Sequence, residues 1–227
     1  MVPTLHPQWQ ALDLAEILGR DAAFISIDSQ NSILSPEGCL KAEGIWKRAR
    51  QPGGSLENTL RLAAACRAAR MPFMWLRYDR FIGEKTPCTP MDEAQYAYWN
   101  EHYTGDSARK GWEAEPVDEV KAILQPGDVT LIYPGWSIFV GTPVMRYLSM
   151  WGTRTLILVG YHTDWCVEMA ARSARDLGYM PVVVGDACGS TEELHEASLR
   201  QINDCYAPVI STEAAIQFIE KGSAARR

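Results

Sequence analysis

Residues 155–178 read TLILVGYHTDWCVEMAARSARDLG, and this stretch decides the fold. Its first five residues, Thr155 to Val159, are apolar or β-branched, as in a strand buried on both faces. Gly160 breaks the run, and Thr163 and Asp164 offer side-chain oxygens to cap a helix start. Val167, Ala170, Ala171, Ala174 and Leu177 then recur at helical spacing until Gly178 stops the pattern. Cys166 is therefore expected in the first turn of a helix, just past the carboxyl end of a strand. Unpaired backbone N–H groups and the positive end of the helix dipole favour a thiolate there and can hold an oxyanion. A buried structural cysteine is the plainer reading of a Cys among apolar neighbours. The strand–turn–helix position is what favours a nucleophile.

Outward from this unit, apolar runs at 22–27, 72–77, 129–133, 180–184 and 208–210 read as further strands. Helical spacing recurs at 56–70, 117–124, 143–151, 192–205 and 212–219. Strands alternating with helices imply a parallel sheet covered on both faces. Asp28 and Arg77 end two of these strands on the side where open α/β sheets keep their ligands. For Asp28 a loop-capping role is equally open. The polar stretch 29–54 is too long for a plain connector and is expected to help wall a site, with Asn31 a polar candidate for substrate contact. Residues 78–116 are rich in aromatics (Phe81, Tyr96, Tyr98, Trp99, Tyr103, Trp112) and read as an excursion that forms a lid or a subunit contact. The organisation expected is an arm at 1–20 that docks on a neighbouring subunit, one domain at 21–220, and a disordered tail at 221–227.

A chain of 227 residues with 47% hydrophobic and 22% charged residues reads as an ordinary globular domain. A net charge of −6 disfavours nucleic acid and anionic membranes as partners. No apolar run reaches the roughly 20 residues of a membrane span, and no signal peptide is evident at the start. The six cysteines lack paired spacing, which fits a reducing cytoplasm better than a disulfide framework. Four scattered histidines give no metal-ligand pattern, so neither metal nor other cofactor is expected.

Three separated stretches then match one pattern: FISIDSQN (24–31), DVTLIYPGWSIFVGTP (128–143) and the segment from Leu158 to Ser190. Together they resemble the isochorismatase-like cysteine hydrolases. That superfamily includes nicotinamidases, N-carbamoylsarcosine amidohydrolase, biuret hydrolase and ureidoacrylate amidohydrolase. Chain length, the PEG loop (36–38) and the PGD turn (126–128) look closest to the ureido-amide branch. The resemblance implies a three-layer α/β/α sandwich around a parallel six-stranded sheet of order 3-2-1-4-5-6. It also implies a homodimer or homotetramer acting on a small amide or ureido compound.

The family employs an Asp, a Lys and a Cys. The resemblance carries the Asp to Asp28 and the Cys to Cys166. In the K-x-x-x-S-x-F pattern Ser137 and Phe139 fix the register, and the Lys position holds Tyr133. In G-x-x-T-x-x-C a cis peptide is implied between Tyr161 and His162, with the N–H groups of His162 and Cys166 forming an oxyanion hole. Trp136, Phe139, Tyr161 and Trp165 are candidate walls, each equally suited to a core. Tyrosine supplies a neutral O–H where lysine would supply charge, and losing such a donor commonly costs about a hundred- to a thousandfold in rate. Three readings stay open: an active amidohydrolase with a repositioned cation, for which Arg77 is the candidate; a variant impaired at Tyr133 that traps its ligand; and a ligand-binding protein on an enzyme scaffold. Vinyl-ether cleavage of the isochorismatase type, which needs the Asp without the Cys, is a further alternative.

Overall fold

A computed structural model describes residues 1–79, 89–102 and 110–224 of the chain. Six strands form one parallel sheet: β1 (Ala22–Ile27), β2 (Phe73–Tyr78), β3 (Val129–Tyr133), β4 (Thr155–Tyr161), β5 (Met180–Gly189) and β6 (Val209–Ile210). Their order is β3-β2-β1-β4-β5-β6, as the resemblance implies. β1 and β4 lie at the centre and are buried along their whole length. Gly160, at φ 128°, lets them approach: a Cβ there would stand 1.9 Å from the Ile27 carbonyl oxygen.

Alternation along each strand sorts side chains onto two faces. Phe24, Phe73, Trp75, Ile157, Val159 and Tyr161 pack on one side with α1 (Leu14–Gly19), α4 (Ser55–Ala68) and α11 (Thr212–Ala224). Ile25, Ile27, Met74, Leu76, Leu158 and Tyr133 pack on the other with α8 (Val144–Met150), α9 (Glu168–Asp176) and α10 (Glu192–Cys205). The result is a three-layer sandwich. Between them run the short helices α2 (Asn31–Leu34), α3 (Ile45–Ala49), α6 (Lys110–Glu113) and α7 (Asp118–Lys121), and the longer α5 (Pro90–His102). No helix among the described residues is long and apolar enough to cross a membrane.

Residues 1–20 fold back onto their own chain. Trp9 is buried and its indole N–H donates to the Asn203 carbonyl at 2.6 Å, while the Asn203 amide donates to the Thr4 carbonyl at 2.8 Å. α1 lies against α11 through a glycine pair, Gly19 and Gly222, where a Cβ on Gly19 would stand 2.6 Å from Gly222 Cα. The expected tail is likewise helical through Ala224. Phe81, Tyr103 and residues 225–227 lie outside the described residues, as does the side chain of Trp99.

Candidate active site

β1 delivers Asp28 to the carboxyl edge of the sheet, where the chain turns sharply with Asp28 at φ 55°. β3 ends in Tyr133, registered beside Tyr78 at the end of β2. After β4, residues Thr163–Val167 form one wide helical turn before α9, and this turn carries Cys166. The three candidate side chains thus come from the end of β1, the sheet edge β3 and the turn after β4, and meet on the α8/α9/α10 side. All three are buried.

Asp28 is held from both oxygens. The Tyr133 hydroxyl donates to Oδ2 at 2.6 Å, and the Tyr78 backbone N–H donates to Oδ1 at 2.7 Å. Cys166 lies in the same buried cluster as Tyr133, close enough for Tyr133 and Asp28 both to act on its thiol. Burial pushes the Asp28 carboxyl up to about 7, against the pull of hydrogen bonds from Tyr133 and Cys166 and the charge of His162. Burial also lifts the Cys166 thiol well above its ordinary range, and the Asp28 charge lifts it further. Tyr133 is raised for the same two reasons and stays a neutral phenol. The resting site is therefore a thiol, a phenol and a carboxyl poised near neutrality.

The structure brings His162, Trp136 and Trp165 to this cluster. Rings follow one another outward from Tyr133: Tyr133 to Tyr78 at 5.6 Å, Tyr78 to Trp136 at 6.5 Å, Trp136 to Trp165 at 5.8 Å, and Trp165 to His162 at 4.4 Å. The Tyr161–His162 peptide is cis, where the resemblance places it. The other candidates stand elsewhere. Tyr161 points to the α1/α4/α11 layer and shares a hydrogen bond with Ser55 at 2.8 Å. Arg77 precedes Tyr78 on β2 and so faces away from Cys166. Its guanidinium donates to the Ala114 carbonyl at 3.1 Å, and its Nε is buried without a partner among the described residues. Strand alternation thus overturns the reading of Arg77 as a replacement cation and of Tyr161 as a wall. Phe139 is packed in the core against Tyr179, and the Asn31 amide donates to the Trp112 carbonyl at 3.0 Å. Thr163 and Asp164 make no helix cap: His162 is the N-cap residue, and the Thr163 hydroxyl meets His195 Nδ1 instead.

Three contributors were missed in the sequence. Tyr78 supplies both a backbone donor and a ring, and its signal was the one-residue extension of β2 past Arg77. Gln30 clamps β2 beside β1, accepting from the Tyr78 N–H at 3.0 Å and donating to the Tyr78 carbonyl at 2.9 Å. Glu43 reaches His162 Nε2 at 2.9 Å from a single 3-10 turn, Lys41–Glu43, too short to leave a periodic pattern, so nothing in the sequence pointed to it. Among the described residues no group of His, Cys, Asp and Glu is placed to hold a metal ion.

The Isochorismatase domain profile matches residues 22–214, which takes in Asp28, Tyr133 and Cys166 together. The chain belongs to the isochorismatase family. Ureidoacrylate amidohydrolase RutB of Enterobacter sp. (strain 638) is 32% identical over 174 residues, 73% of this chain and 74% of that one. It lies in the branch that the sequence resembles. Among solved structures, a cysteine hydrolase from Pseudomonas syringae pv. phaseolicola 1448A shares the fold with a TM-score of 0.74 at 21% identity, covering 98% of this chain and 100% of that one. N-carbamoylsarcosine amidase from Thermoplasma acidophilum gives a TM-score of 0.64 at 21% identity, covering 85% and 96%. As a member of the isochorismatase family the chain is a hydrolase. The alternative of an impaired, ligand-trapping protein finds no support.

Proposed function

We propose that this isochorismatase-family hydrolase is a cysteine-dependent amidohydrolase, cleaving a C–N bond of a small amide, ureido or carbamoyl compound. The observation that carries the reading is the buried Asp28–Cys166 contact at the carboxyl edge of the sheet. The name of the 32% identical relative supports the bond class. Because the resting sulfur is a thiol, attack and deprotonation are coupled: the Sγ–H proton passes to Asp28 as Sγ bonds the carbonyl carbon. The oxyanion is received by the N–H groups of His162 and Cys166. Asp28 returns the proton to the leaving nitrogen as the C–N bond breaks, which leaves a thioester. Water, deprotonated by Asp28, then releases the acid and restores the thiol. The ring wall of Tyr78, Trp136 and Trp165 gives the substrate a flat apolar bed.

Cys66, Cys166, Cys188 and Cys205 carry free thiols, in keeping with a reducing cytoplasm. Self-association is part of the proposal, and light scattering near the 25.4 kDa of one chain would count against it. The reaction is tested by ammonia or amine release across a panel of primary amides, ureas and carbamoyl amines. Release from at least one class supports the proposal, and no release from any of them counts against it.

A further inference from the structure

The proposed reaction makes the sulfur negative in the course of attack, and in the family a lysine stands ready for that charge. Here Tyr133 occupies the lysine position, and Arg77, the substitute cation expected from the sequence, faces the other side of the sheet. What remains beside the sulfur is a phenol, fully buried, with one proton to give.

From this geometry we propose that Tyr133 is a catalytic residue that exchanges hydrogen-bond partners during the cycle, donating to Asp28 in the resting site and to the Cys166 sulfur once the sulfur is charged. The proposal rests on the cysteine amidohydrolase reading and deepens it. In the resting site the carboxylate is the stronger acceptor, and the phenol donates to Oδ2 at 2.6 Å. Once Asp28 takes the thiol proton, its carboxyl is neutral and the negative charge sits on sulfur. The same O–H, buried in one cluster with Cys166, then finds its better acceptor there. Proton balance is complete: one S–H bond breaks, one O–H bond forms on Asp28, and the phenol keeps its own proton throughout. Tyr78 backbone N–H holds Oδ1 during the exchange, so the carboxyl does not rotate away. Burial keeps the phenol from ionising and competing for Asp28.

Two consequences separate this role from a packing role. A donor felt mainly in the transition state alters kcat far more than KM. A donor that also stabilises the Asp28 carboxylate sets where the acid limb of the pH profile falls. The test compares the wild-type chain with Tyr133→Phe, which keeps the ring and removes the O–H, and with Tyr133→Lys. For Tyr133→Phe the expectation is a loss in kcat of about a hundredfold, a KM within about threefold, and an acid limb moved up by about half to one pH unit. Tyr133→Lys retains a donor and adds charge, so it should recover at least about tenfold over Tyr133→Phe with the acid limb moved down. Iodoacetamide alkylation of Cys166 needs no substrate and should slow about tenfold in Tyr133→Phe at pH 8. A wild-type chain inactive on every amide, with alkylation slowed in this way, would overturn the amidohydrolase reading and leave the Tyr133 contact standing. A Tyr133→Phe chain that folds normally and keeps its pH profile and alkylation rate overturns the partner exchange, whatever happens to kcat.

Discussion

Arg77 and Tyr78 are consecutive residues at the end of β2, yet they serve opposite sides of the sheet. Tyr78 joins Asp28, Tyr133 and Cys166, giving a backbone donor at 2.7 Å and a ring to the wall. Arg77 turns to the other layer and holds the Ala114 carbonyl. Asp28 and Tyr161 repeat the contrast at the ends of the two central strands, one facing the sulfur and the other bonded to Ser55. Both faces are buried and both carry polar groups at the carboxyl edge. Only one of them places a titratable carboxyl near neutrality beside a thiol. A residue at the right end of a strand is thus half a site: parity decides the face of Arg77, Tyr78 and Tyr161, while the turn at Asp28, φ 55°, brings its carboxyl to the sulfur's face against the alternation of β1.

The largest test of this contrast pairs Cys166→Ala with Arg77→Ala. The first should reduce turnover by about ten thousandfold or more, as loss of a nucleophile does. The second should leave kcat/KM within about threefold and lower the melting temperature, since it frees a carbonyl and opens a buried space. Comparable loss of turnover in both variants would break the distinction between the faces.

Asp28→Asn comes next, with about a thousandfold lower kcat expected and a pH signature of its own. The folded carboxyl holds its proton up to about 7, whereas an ordinary aspartate loses it near 3.8. Between those values the native state binds the proton more tightly than the unfolded chain, so stability is highest below about pH 4 and falls as pH rises to about 7. The full span is on the order of 4 kcal/mol. Activity runs the other way, with kcat/KM rising through pH 7 as the base ionises. Thermal unfolding from pH 4 to pH 8 should show Asp28→Asn matching the wild type at the acid end and exceeding it at the alkaline end. Equal melting curves at pH 8 would place the Asp28 carboxyl outside the desolvated cluster.

The strands were legible because they are short β-branched or aromatic runs punctuated by Gly, Pro and Asp, and β1 and β3 begin and end where those runs do. Asp28, Tyr133 and Cys166 were legible because each lies at a strand's carboxyl end or in the motif that follows β4. Arg77 and Tyr161 were misplaced because composition marks a strand's end without marking its face. Glu43 was invisible, since a contact across 119 positions from a single 3-10 turn leaves no periodic trace. The docked N-terminal segment was missed for a similar reason. Its hold depends on Trp9 finding the Asn203 carbonyl and on Gly19 meeting Gly222, pairings distant in sequence.

Smaller effects sharpen the same contrast. Trp136, at 38% exposed, forms the open side of the ring wall, and Trp136→Ala should raise KM about tenfold with kcat little changed. An unchanged KM would remove the ring wall from substrate binding. Tyr161→Phe should cost about 1 kcal/mol of stability through the Ser55 hydrogen bond and leave kinetics unaltered. A kinetic defect in Tyr161→Phe would mean that the opposite layer reaches the chemistry after all.

The central claim, that the sulfur of Cys166 performs the reaction, is tested most directly by following activity against site-resolved alkylation. The protein is treated with iodoacetamide in the presence and absence of a hydrolysed amide, and each cysteine is quantified by peptide mapping. Exposed Cys205 should label without effect on turnover, while activity should fall in step with carbamidomethylation of Cys166 and be protected by substrate. Full turnover in protein whose Cys166 is completely alkylated would contradict the account.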